Sequence, residues 1–261
     1  MLPRRELLAG SRHPATLNAV LTEAEAALRH WEPRWSGFLG GEEREEVEER
    51  LGSLTELALH GHGGYAGAER QRLLLLRRDS GLDASNVPPP ILGLELSGNF
   101  LFDPAEPEDL RTALLRLGLP AAGVGDLWIR GDRGGQGLVG SEQAEGLEGA
   151  LLQVRTVEVA LTVRPLKELQ PPARRQPRRF HTVEASTRLD AVASAGFGLP
   201  RNRMADLIRH GRVRVNWQAV TTPSHELTSG DRVQLEGKGE VALEEIQSTK
   251  RDRFRLVLLR Q

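Results

Sequence analysis

Apolar residues recur along the first third of the chain at the spacings of helices and strands. Between Thr16 and Trp31 they fall three or four positions apart, which predicts an amphipathic helix. Residues 42–59 predict an acidic helix or a helix–strand pair, and the run of six glutamates between Glu42 and Glu49 is expected to form a solvated face. A glycine-rich turn then separates two strands, of which the second contains Leu73–Leu76. These elements predict an N-terminal α/β domain over residues 1–86.

The middle of the chain alternates between strand and helix patterns. Strands are predicted at 91–98, 124–130, 135–140 and 156–163, and helices at 108–118 and from Ser141 to Leu152. This βαββαβ order is that of the ferredoxin-like fold, which RNA-recognition (RRM) domains also adopt. Domains of that kind stack bases on aromatic side chains of their central strands, and the strand at 135–140 has none. Residues 87–169 are therefore predicted to be a ferredoxin-like (RRM-like) domain that packs or contacts protein and does not read RNA.

A segment rich in proline and arginine precedes the C-terminal third. Residues 170–179 contain three prolines and four arginines, which predicts a stiffened, basic linker. The charge balance changes at the same place, since residues 171–261 hold 17 Lys+Arg against 10 Asp+Glu and the other 170 residues hold 18 against 26. A basic third on an acidic body predicts that one domain meets a polyanion. We assign that domain to residues 180–261, and the chain as a whole to the α+β class.

Two short helices are predicted near the start of this basic domain. Thr187 and Asp190 have the spacing of a capping box, which would begin the first helix. Gly196 and Gly198 are expected to break that helix. Pro200 suits the first turn of the second helix, where its missing N–H is not needed.

A short strand and a turn are predicted to follow the second helix. Gly211 is placed to end the helix in a left-handed turn. Val213 and Val215 then alternate with arginines, as in a half-buried strand. The dipeptide Asn216-Trp217 predicts a turn at the end of this strand.

Basic side chains recur throughout the same domain and are the predicted RNA contacts. At 100° per residue, Arg201 and Arg209 flank the solvent side of the second helix, whereas Arg203 lies about 200° around the axis from Arg201. A solvated basic surface without a ligand is the alternative interpretation. The candidate RNA-binding residues are Arg178, Arg179, Arg188, Arg201, Arg203, Arg209, Arg212, Arg214, Asn216 and Lys238.

The pattern of these C-terminal residues resembles the alpha-L RNA-binding motif, the S-four domain named after small-subunit ribosomal protein four. The matching positions are Arg188-Leu189-Asp190, Arg201, Leu207-Ile208, Gly211, Val213, Val215, Asn216 and Gly230 to Val233. The resemblance covers about the last eighty residues and implies an RNA-binding domain.

Further segments extend the likeness over nearly the whole chain. They resemble the YlmH family, known in photosynthetic lineages as the photosystem II S-four domain protein. The matching positions are Phe38-Leu39, Gly63-Gly64-Tyr65, Ala68-Glu69-Arg70, Leu114-Leu115, Leu117-Gly118 and Gly125-Asp126. This resemblance implies an RNA-binding, ribosome-associated protein whose partners are rRNA or tRNA, with the large ribosomal subunit as its place of action. It also implies a role in translation or in the rescue of stalled ribosomes.

Enzyme chemistry finds little support in the sequence. The chain has no cysteine, which excludes disulfides, thiolate metal sites and a cysteine nucleophile. His60 and His62 offer a His-x-His pair, but without an acidic ligand cluster nearby a turn is the favoured interpretation. We expect no catalytic residue, no cofactor and no metal. The alternative is an RNA-modifying enzyme of the pseudouridine-synthase type that carries an S-four domain, because Arg188-Leu189-Asp190 resembles the catalytic tripeptide of those enzymes.

Membrane insertion is not expected either. The longest purely aliphatic run is Leu73–Leu76, far shorter than a membrane span. The first ten residues lack the apolar core of a signal peptide. We expect a cytoplasmic monomer, with a plastid or another organelle left open as the location.

Overall fold

The computed structural model describes residues 2–173, 176–235, 237–249 and 253–261. The chain forms two compact units, Met1–Arg174 and Arg175–Gln261. Arg174 and Arg175, two of the four arginines of the predicted linker, lie outside the described residues. The other two, Arg178 and Arg179, begin a strand, so the linker is shorter than predicted at its C-terminal end. The division of the first unit into domains 1–86 and 87–169 stays a prediction.

The first part of unit Met1–Arg174 packs helices on a small sheet. Its elements are α1 (Arg4–Leu8), α2 (Pro14–His30), β1 (Arg34–Trp35), α3 (Gly41–Leu51), β2 (Leu57–His62) and β3 (Arg72–Arg77). The three strands are antiparallel in the order β1-β3-β2. The apolar stripe of α2, which includes the fully buried Leu17 and Leu21, packs with Leu73 and Leu75 of β3. The helix and both strands expected here are confirmed.

One glutamate of the acidic helix α3, Glu46, does not lie on the solvated face that the sequence predicted. Glu46 is only 2% exposed, and its carboxylate accepts the backbone N–H groups of Arg12 and His13 at 2.8 and 2.9 Å. Arg50 adds a hydrogen bond from Nε at 3.0 Å. His13 is the N-cap of α2 and has no side-chain cap of its own. The carboxylate therefore satisfies N–H groups that a helix start leaves without partners, while Glu49 on the same helix is exposed.

A second, five-stranded sheet follows in the same unit. Its elements are β4 (Ile91–Ser97), α4 (Pro107–Arg116), β5 (Val124–Ile129), β6 (Gly134–Gly140), α5 (Ser141–Ala144), β7 (Leu151–Val154) and β8 (Val157–Arg164). All pairings are antiparallel and the order is β5-β6-β4-β8-β7. Without β7 this is the strand order of a ferredoxin-like domain. The fold class is therefore confirmed, with one strand added at an edge.

The helix predicted from Ser141 to Leu152 is wrong. It ends at Ala144 after one turn, and its N-cap is Gly140 and not Ser141. Gly149 has φ +74°, a left-handed conformation that a helix does not allow. Leu151 then begins β7, which pairs with β8 at the sheet edge. Glycines in the predicted helix and a strand partner close in sequence outweigh the local helical pattern.

The face of this sheet that an RRM domain would use is covered. Register places Trp128 of β5 beside Gln136 of β6, on the side away from the α4 core. The Trp128 ring is 7% exposed and packs in an apolar cluster with Phe38 and Leu138. Tyr65 meets it edge-on with ring centroids 5.7 Å apart. The sequence showed no aromatic on the strand at 135–140. The neighbouring strand does carry one, but it serves packing.

Unit Arg175–Gln261 is a separate α+β fold. Its elements are β9 (Arg178–Glu184), α6 (Leu189–Phe197), α7 (Arg201–Arg209), β10 (Val213–Val215), β11 (Gln218–Ala219), β12 (Arg232–Leu235), β13 (Gly239–Ser248) and β14 (Phe254–Arg260). The six strands are antiparallel in the order β11-β10-β12-β13-β14-β9. Val192 of α6, Ile208 of α7 and Val213 of β10 lie fully buried in one core.

Two predictions about α6 are corrected. The N-cap is Arg188 and not Thr187, and no side chain caps the helix. Gly196 lies inside α6 and does not break it. A glycine is needed at this position because the helix passes close to β13, and a Cβ would lie 2.8 Å from Cγ1 of Val241. Gly198 ends the helix in the left-handed region at φ +68°, as predicted.

Candidate nucleic-acid interface

Two of the predicted RNA-binding arginines are joined by one buried carboxylate. Asp190 is 6% exposed and lies in the first turn of α6. Arg188 donates to it from Nε and Nη2 at 3.2 Å each, and Arg201 from the same two atoms at 3.2 and 3.0 Å. The arginine side chains are 41% and 51% exposed. The carboxylate therefore holds two half-exposed guanidinium groups side by side through Nε and Nη2, and neither Nη1 is used in these four hydrogen bonds.

The charge of Asp190 is stabilised in this arrangement. Burial alone would raise its pKa, but the hydrogen bonds and charges of Arg188 and Arg201 outweigh burial and hold the pKa below its ordinary value. The group is therefore ionised at neutral pH, and both arginines keep their anchor.

The backbone fixes the position of the arginine pair. Leu189 and Asp190 donate their N–H groups to the carbonyls of His225 and Pro223 at 2.7 and 3.0 Å, so the start of α6 is tied to a neighbouring loop. Arg201 is the first residue of α7, behind the N-cap Pro200. Its charge thus lies at the positive end of a helix dipole, where an anion is favoured.

The other arginines of α7 have different surroundings. Arg209 pairs with Asp206 on the same helix at 2.8 Å, and both side chains are largely exposed. An exposed pair of this kind contributes little to stability. Arg203 is exposed and forms no ion pair within the described part of the chain. Arg201 and Arg203 both belong to the regular helix α7, so their side chains leave it on different sides.

Two arginines lie on the sheet. Val213 and Val215 of β10 point into the core, so Arg212 and Arg214 lie on the opposite, outward side of the strand. Arg214 is opposite Gln234 in the register with β12.

The remaining basic candidates are dispersed. Arg178 and Arg179 belong to β9, four strands away from β10, which corresponds to about 19 Å. Arg179 is held by Glu244 at 2.6 Å. Lys238 lies in the turn between β12 and β13, where its N–H donates to the carbonyl of Leu235. The ten candidates therefore do not form one surface. Arg188 with Arg201 is the pair that the fold brings together from different elements.

Asn216 has a role within the turn that follows β10. Asn216 and Trp217 have φ +49° and +68°, and the two form the loop between β10 and β11. The Asn216 amide donates to Oδ1 of Asp231 at 2.8 Å and accepts the N–H of Arg232 at 3.0 Å. Both ends of this amide are thus used inside the protein. The predicted contact of Asn216 with RNA stays a prediction.

Trp217 is a residue of this surface that the candidate set omitted. Its backbone N–H donates to Oε1 of Gln234 at 3.2 Å. The Arg232 guanidinium lies over its ring, 6.0 Å from the centroid. The signal was present in the sequence, because a two-residue hairpin loop of this type normally has glycine at the second position. The turn alone therefore does not explain a tryptophan at this position.

Neither a cluster of metal ligands nor a membrane-spanning helix occurs among the described residues. Within the described ranges no three His, Cys, Asp or Glu side chains are grouped as metal ligands. Nδ1 of His62 instead accepts the N–H of Gly64 at 3.1 Å, inside the glycine-rich turn. Over the same described residues, no helix is both long and apolar enough to pass through a bilayer.

Known proteins and families resemble the chain in both units. Residues 187–233 match the S4 domain family, and residues 12–80 match the family described as YlmH, N-terminal. A relative from Bacillus subtilis (strain 168), described as ribosome-associated protein quality control protein P2, is 29% identical over 208 residues, which are 79% of each chain. The N-terminal part of the chain thus resembles the YlmH family, and the C-terminal unit resembles the S4 domain family. A solved structure described as cell division protein ylmH from Streptococcus pneumoniae aligns with a TM-score of 0.45 at 16% identity, over 60% of this chain and 93% of that one.

The range that matches the S4 domain family contains most of the candidate site. Arg188, Asp190 and Arg201 lie within residues 187–233, as does the turn with Trp217. Arg178, Arg179 and Lys238 lie outside the matched range.

Proposed function

We propose that this protein is a non-enzymatic RNA-binding protein that binds structured rRNA or tRNA through its S4-like domain. It acts on the large ribosomal subunit, in translation or in the quality control of stalled ribosomes, as a cytoplasmic monomer. The observation that carries the RNA contact is the arginine pair on Asp190. The ribosomal setting is supported by the resemblance to the YlmH family and by the Bacillus relative, which is described as a ribosome-associated quality control protein.

The arginine pair has the properties of a phosphate site. A guanidinium group offers five N–H donors in one plane and binds phosphate in a bidentate manner. Asp190 uses two donors of each arginine and fixes both side chains before a ligand arrives. Less side-chain freedom is then lost on binding, which favours affinity. Arg201 is also the first residue of α7, and the N-terminus of a helix favours an anion.

The enzyme alternative depended on Asp190 as a catalytic carboxylate. Both of its oxygens accept hydrogen bonds from arginines, and the side chain is 8% exposed. A nucleophile must reach its substrate, and this carboxylate is covered by the groups that it holds. The geometry therefore favours the binding protein over the pseudouridine-synthase-like enzyme.

Salt-dependent binding tests the proposed phosphate site. If four to six phosphates are contacted, the log–log slope of affinity against salt is about −3 to −5. Arg201→Ala should lower affinity for all structured RNA probes and flatten the slope by about 0.7 to 0.9, one phosphate contact. Arg209→Ala should have a smaller effect. Arg203→Ala is the matched control on the same helix and should have the least effect. Alanine is preferred to a charge reversal because a glutamate here would face Asp190.

Melting curves of each variant must accompany the binding curves, so that unfolding is not mistaken for a lost contact. A folded Arg201→Ala variant with the affinity and slope of the wild type would show that this surface is not the RNA site.

The ribosomal and non-enzymatic parts of the proposal need separate measurements. In a sucrose gradient at low salt, the full chain should travel with large ribosomal subunits, and Arg201→Ala should do so less. Recovery of the wild-type protein only at the top of the gradient would contradict ribosome association. Mapping of pseudouridine in rRNA and tRNA after incubation with the protein should show no new site, and any new site would support the enzyme instead.

A further inference from the structure

Phe102 is the most exposed large apolar side chain in the described part of the chain. It is 91% exposed, and its neighbour Leu101 is 57% exposed. Both lie in the loop that joins β4 to α4. Single exposed apolar residues are common on protein surfaces, but here the loop around the two residues is held in place.

The loop is fastened before and after these two residues. Before them, the N–H of Phe100 donates to the carbonyl of Asp132 at 2.8 Å, and the Phe100 ring is buried in the core under α4. After them, the carboxylate of Asp103 accepts Nε–H of Arg155 at 2.6 Å and the N–H of Thr156 at 3.1 Å. The two apolar side chains are thus presented to water between two fixed points. Little ordering of the loop is then needed when a partner binds, which favours affinity.

The charges that surround Phe102 in the sequence are negative. Residues 99–109 contain no lysine or arginine and four carboxylates, those of Asp103, Glu106, Glu108 and Asp109. Arg155 pairs with two of them, Asp103 at 2.6 Å and Asp109 at 3.8 Å. The hydrogen bonds of Thr156 and Arg155 hold the pKa of Asp103 below its ordinary value, so this group is ionised at neutral pH. The loop and the start of α4 therefore form an acidic rim next to the two apolar side chains.

The other arginines of neighbouring elements are directed elsewhere. Arg111 of α4 is 17% exposed and donates from Nη2 to the carbonyl of Gly125 at 2.6 Å. Arg130 and Arg133, in the turn between β5 and β6, line a cavity together with Glu95. Glu95 lies on the sheet face opposite to α4, since its sequence neighbours on both sides belong to the core under α4. The acidic rim at the start of α4 is therefore not neutralised by these three side chains.

We propose that Leu101 and Phe102 dock into an apolar pocket of a protein whose surface around that pocket is basic. Aromatic side chains that enter a pocket carry much of the energy of protein interfaces, and a rim of opposite charge steers the partners and fixes their register. RNA is the less favoured occupant, because its phosphates would meet the acidic rim on a part of the chain where the first 170 residues hold 18 Lys+Arg against 26 Asp+Glu. This inference rests on the proposed function and adds a partner to it. The S4-like domain binds RNA, and the first unit contacts a basic protein of the large ribosomal subunit.

Purified large ribosomal subunits and the deproteinised rRNA of the same subunits test this contact with the full-length protein. Phe102→Ser should weaken binding to the subunits by about ten- to 150-fold, the range expected when one large apolar side chain no longer enters a pocket. The same variant should bind the bare rRNA like the wild type. Leu82→Ser is the matched control, because Leu82 is an exposed leucine of the same unit, and it should leave both affinities unchanged. The melting temperature of Phe102→Ser should equal that of the wild type, since the ring lies outside the core.

A photo-crosslinking phenylalanine analogue, p-benzoylphenylalanine, identifies the chemistry of the partner. Placed at position 102 and irradiated on the large subunit, it should form a crosslink to a ribosomal protein, at an apolar site with lysine or arginine residues nearby. A crosslink to rRNA nucleotides, or no crosslink, would contradict the proposed protein contact.

The binding results separate this contact from the proposed function. If Phe102→Ser binds the subunits as tightly as the wild type, or loses affinity for subunits and bare rRNA equally, the protein contact is wrong while RNA binding stands. The same holds if the wild-type protein binds the bare rRNA but not the subunits. If the wild-type protein binds neither, the proposed function itself is wrong and the contact with it.

Discussion

At the scale of single residues, the charge of Asp190 is the feature on which the proposed interface depends. The sequence placed this residue in a capping box, since its spacing from Thr187 fitted one. The structure uses it to hold Arg188 and Arg201, which come from the starts of two different helices. Local spacing did not reveal this, because the partner Arg201 is brought near only by the packing of α6 against α7. The sequence identified both arginines but not what positions them.

The lowered pKa of Asp190 gives a pH prediction with a definite sign. A carboxylate whose pKa is lower in the folded state adds stability above its unfolded pKa, about 3.9, and loses it as the pH falls through the folded value. Asp190→Asn should therefore destabilise unit Arg175–Gln261 by about 1–3 kcal/mol at neutral pH. The difference from the wild type should shrink below about pH 4 and vanish at lower pH.

Calorimetric unfolding at a series of pH values measures this difference. Asp206→Asn serves as the control, since its pair with Arg209 is exposed and should change stability by less than about 1 kcal/mol. A stability difference for Asp190→Asn that stays constant down to the lowest pH would contradict a structural role for its ionised form.

At the scale of elements, periodicity predicted which segments become helices and strands better than it predicted where they end. The strands at 91–97 and 134–140 and helix α4 lie where the pattern placed them. The predicted helix after Ser141 failed because Gly146 and Gly149 follow its first turn and a strand partner is available. Gly196 shows the reverse case, since a glycine taken as a helix breaker is instead a contact point for another element. Pattern alone does not distinguish a glycine that ends a helix from one that lets a helix approach a strand.

The close approach at Gly196 leads to a prediction in which two effects oppose each other. Gly196→Ala would gain up to about 1 kcal/mol of helix propensity. Its new Cβ would lie 2.8 and 2.9 Å from the two Cγ atoms of Val241 and 3.2 Å from its Cβ. Overpacking of this kind costs about 1–3 kcal/mol, and the branched Val241 has little freedom to move. We therefore expect net destabilisation of about 1–2 kcal/mol.

A double-mutant cycle in chemical denaturation separates the two effects. In a Val241→Ala background the two closest contacts are removed and only the 3.2 Å contact to Cβ remains, so Gly196→Ala should destabilise less than in the wild type or become neutral. An equal loss of stability in both backgrounds would place the cause elsewhere than in this contact.

At the scale of the whole molecule, charge and fold divide the chain in the same way. The basic C-terminal third forms one compact unit with the arginine pair and the Trp217 hairpin, and the acidic remainder forms the other. The sequence predicted the position of this division from the proline- and arginine-rich segment. It did not predict how closely the first two predicted domains interact, because the side chains that join them are far apart in sequence.

Several contacts join the predicted domains 1–86 and 87–169. The carboxylate of Asp126 accepts the hydroxyl of Tyr65 and the N–H groups of Glu69 and Arg70 at 2.8 to 2.9 Å. Phe38 from the first segment is 1% exposed and packs with Trp128 and other residues of the second. Tyr65, Arg70 and Asp126 lie in segments whose sequence resembles the YlmH family. These positions therefore hold the first unit together.

This joint predicts how fragments of the chain fold. Residues 176–261 should unfold cooperatively alone, since their core is complete within the fragment. Residues 1–173 should do the same.

Residues 1–86 alone would expose Phe38 and lose the partners of Tyr65 and Arg70. One large buried apolar side chain contributes about 1.5–3 kcal/mol and each hydrogen bond to a charged group about 1.5–3 kcal/mol. The total approaches the whole stability of a small domain, about 5–15 kcal/mol. Fragment 1–86 should therefore melt far below fragment 1–173 or without a cooperative transition, as thermal melts followed by circular dichroism would show. A sharp transition of fragment 1–86 at the melting temperature of 1–173 would mean that the first predicted domain folds independently and that the contacts through Asp126 join two finished domains.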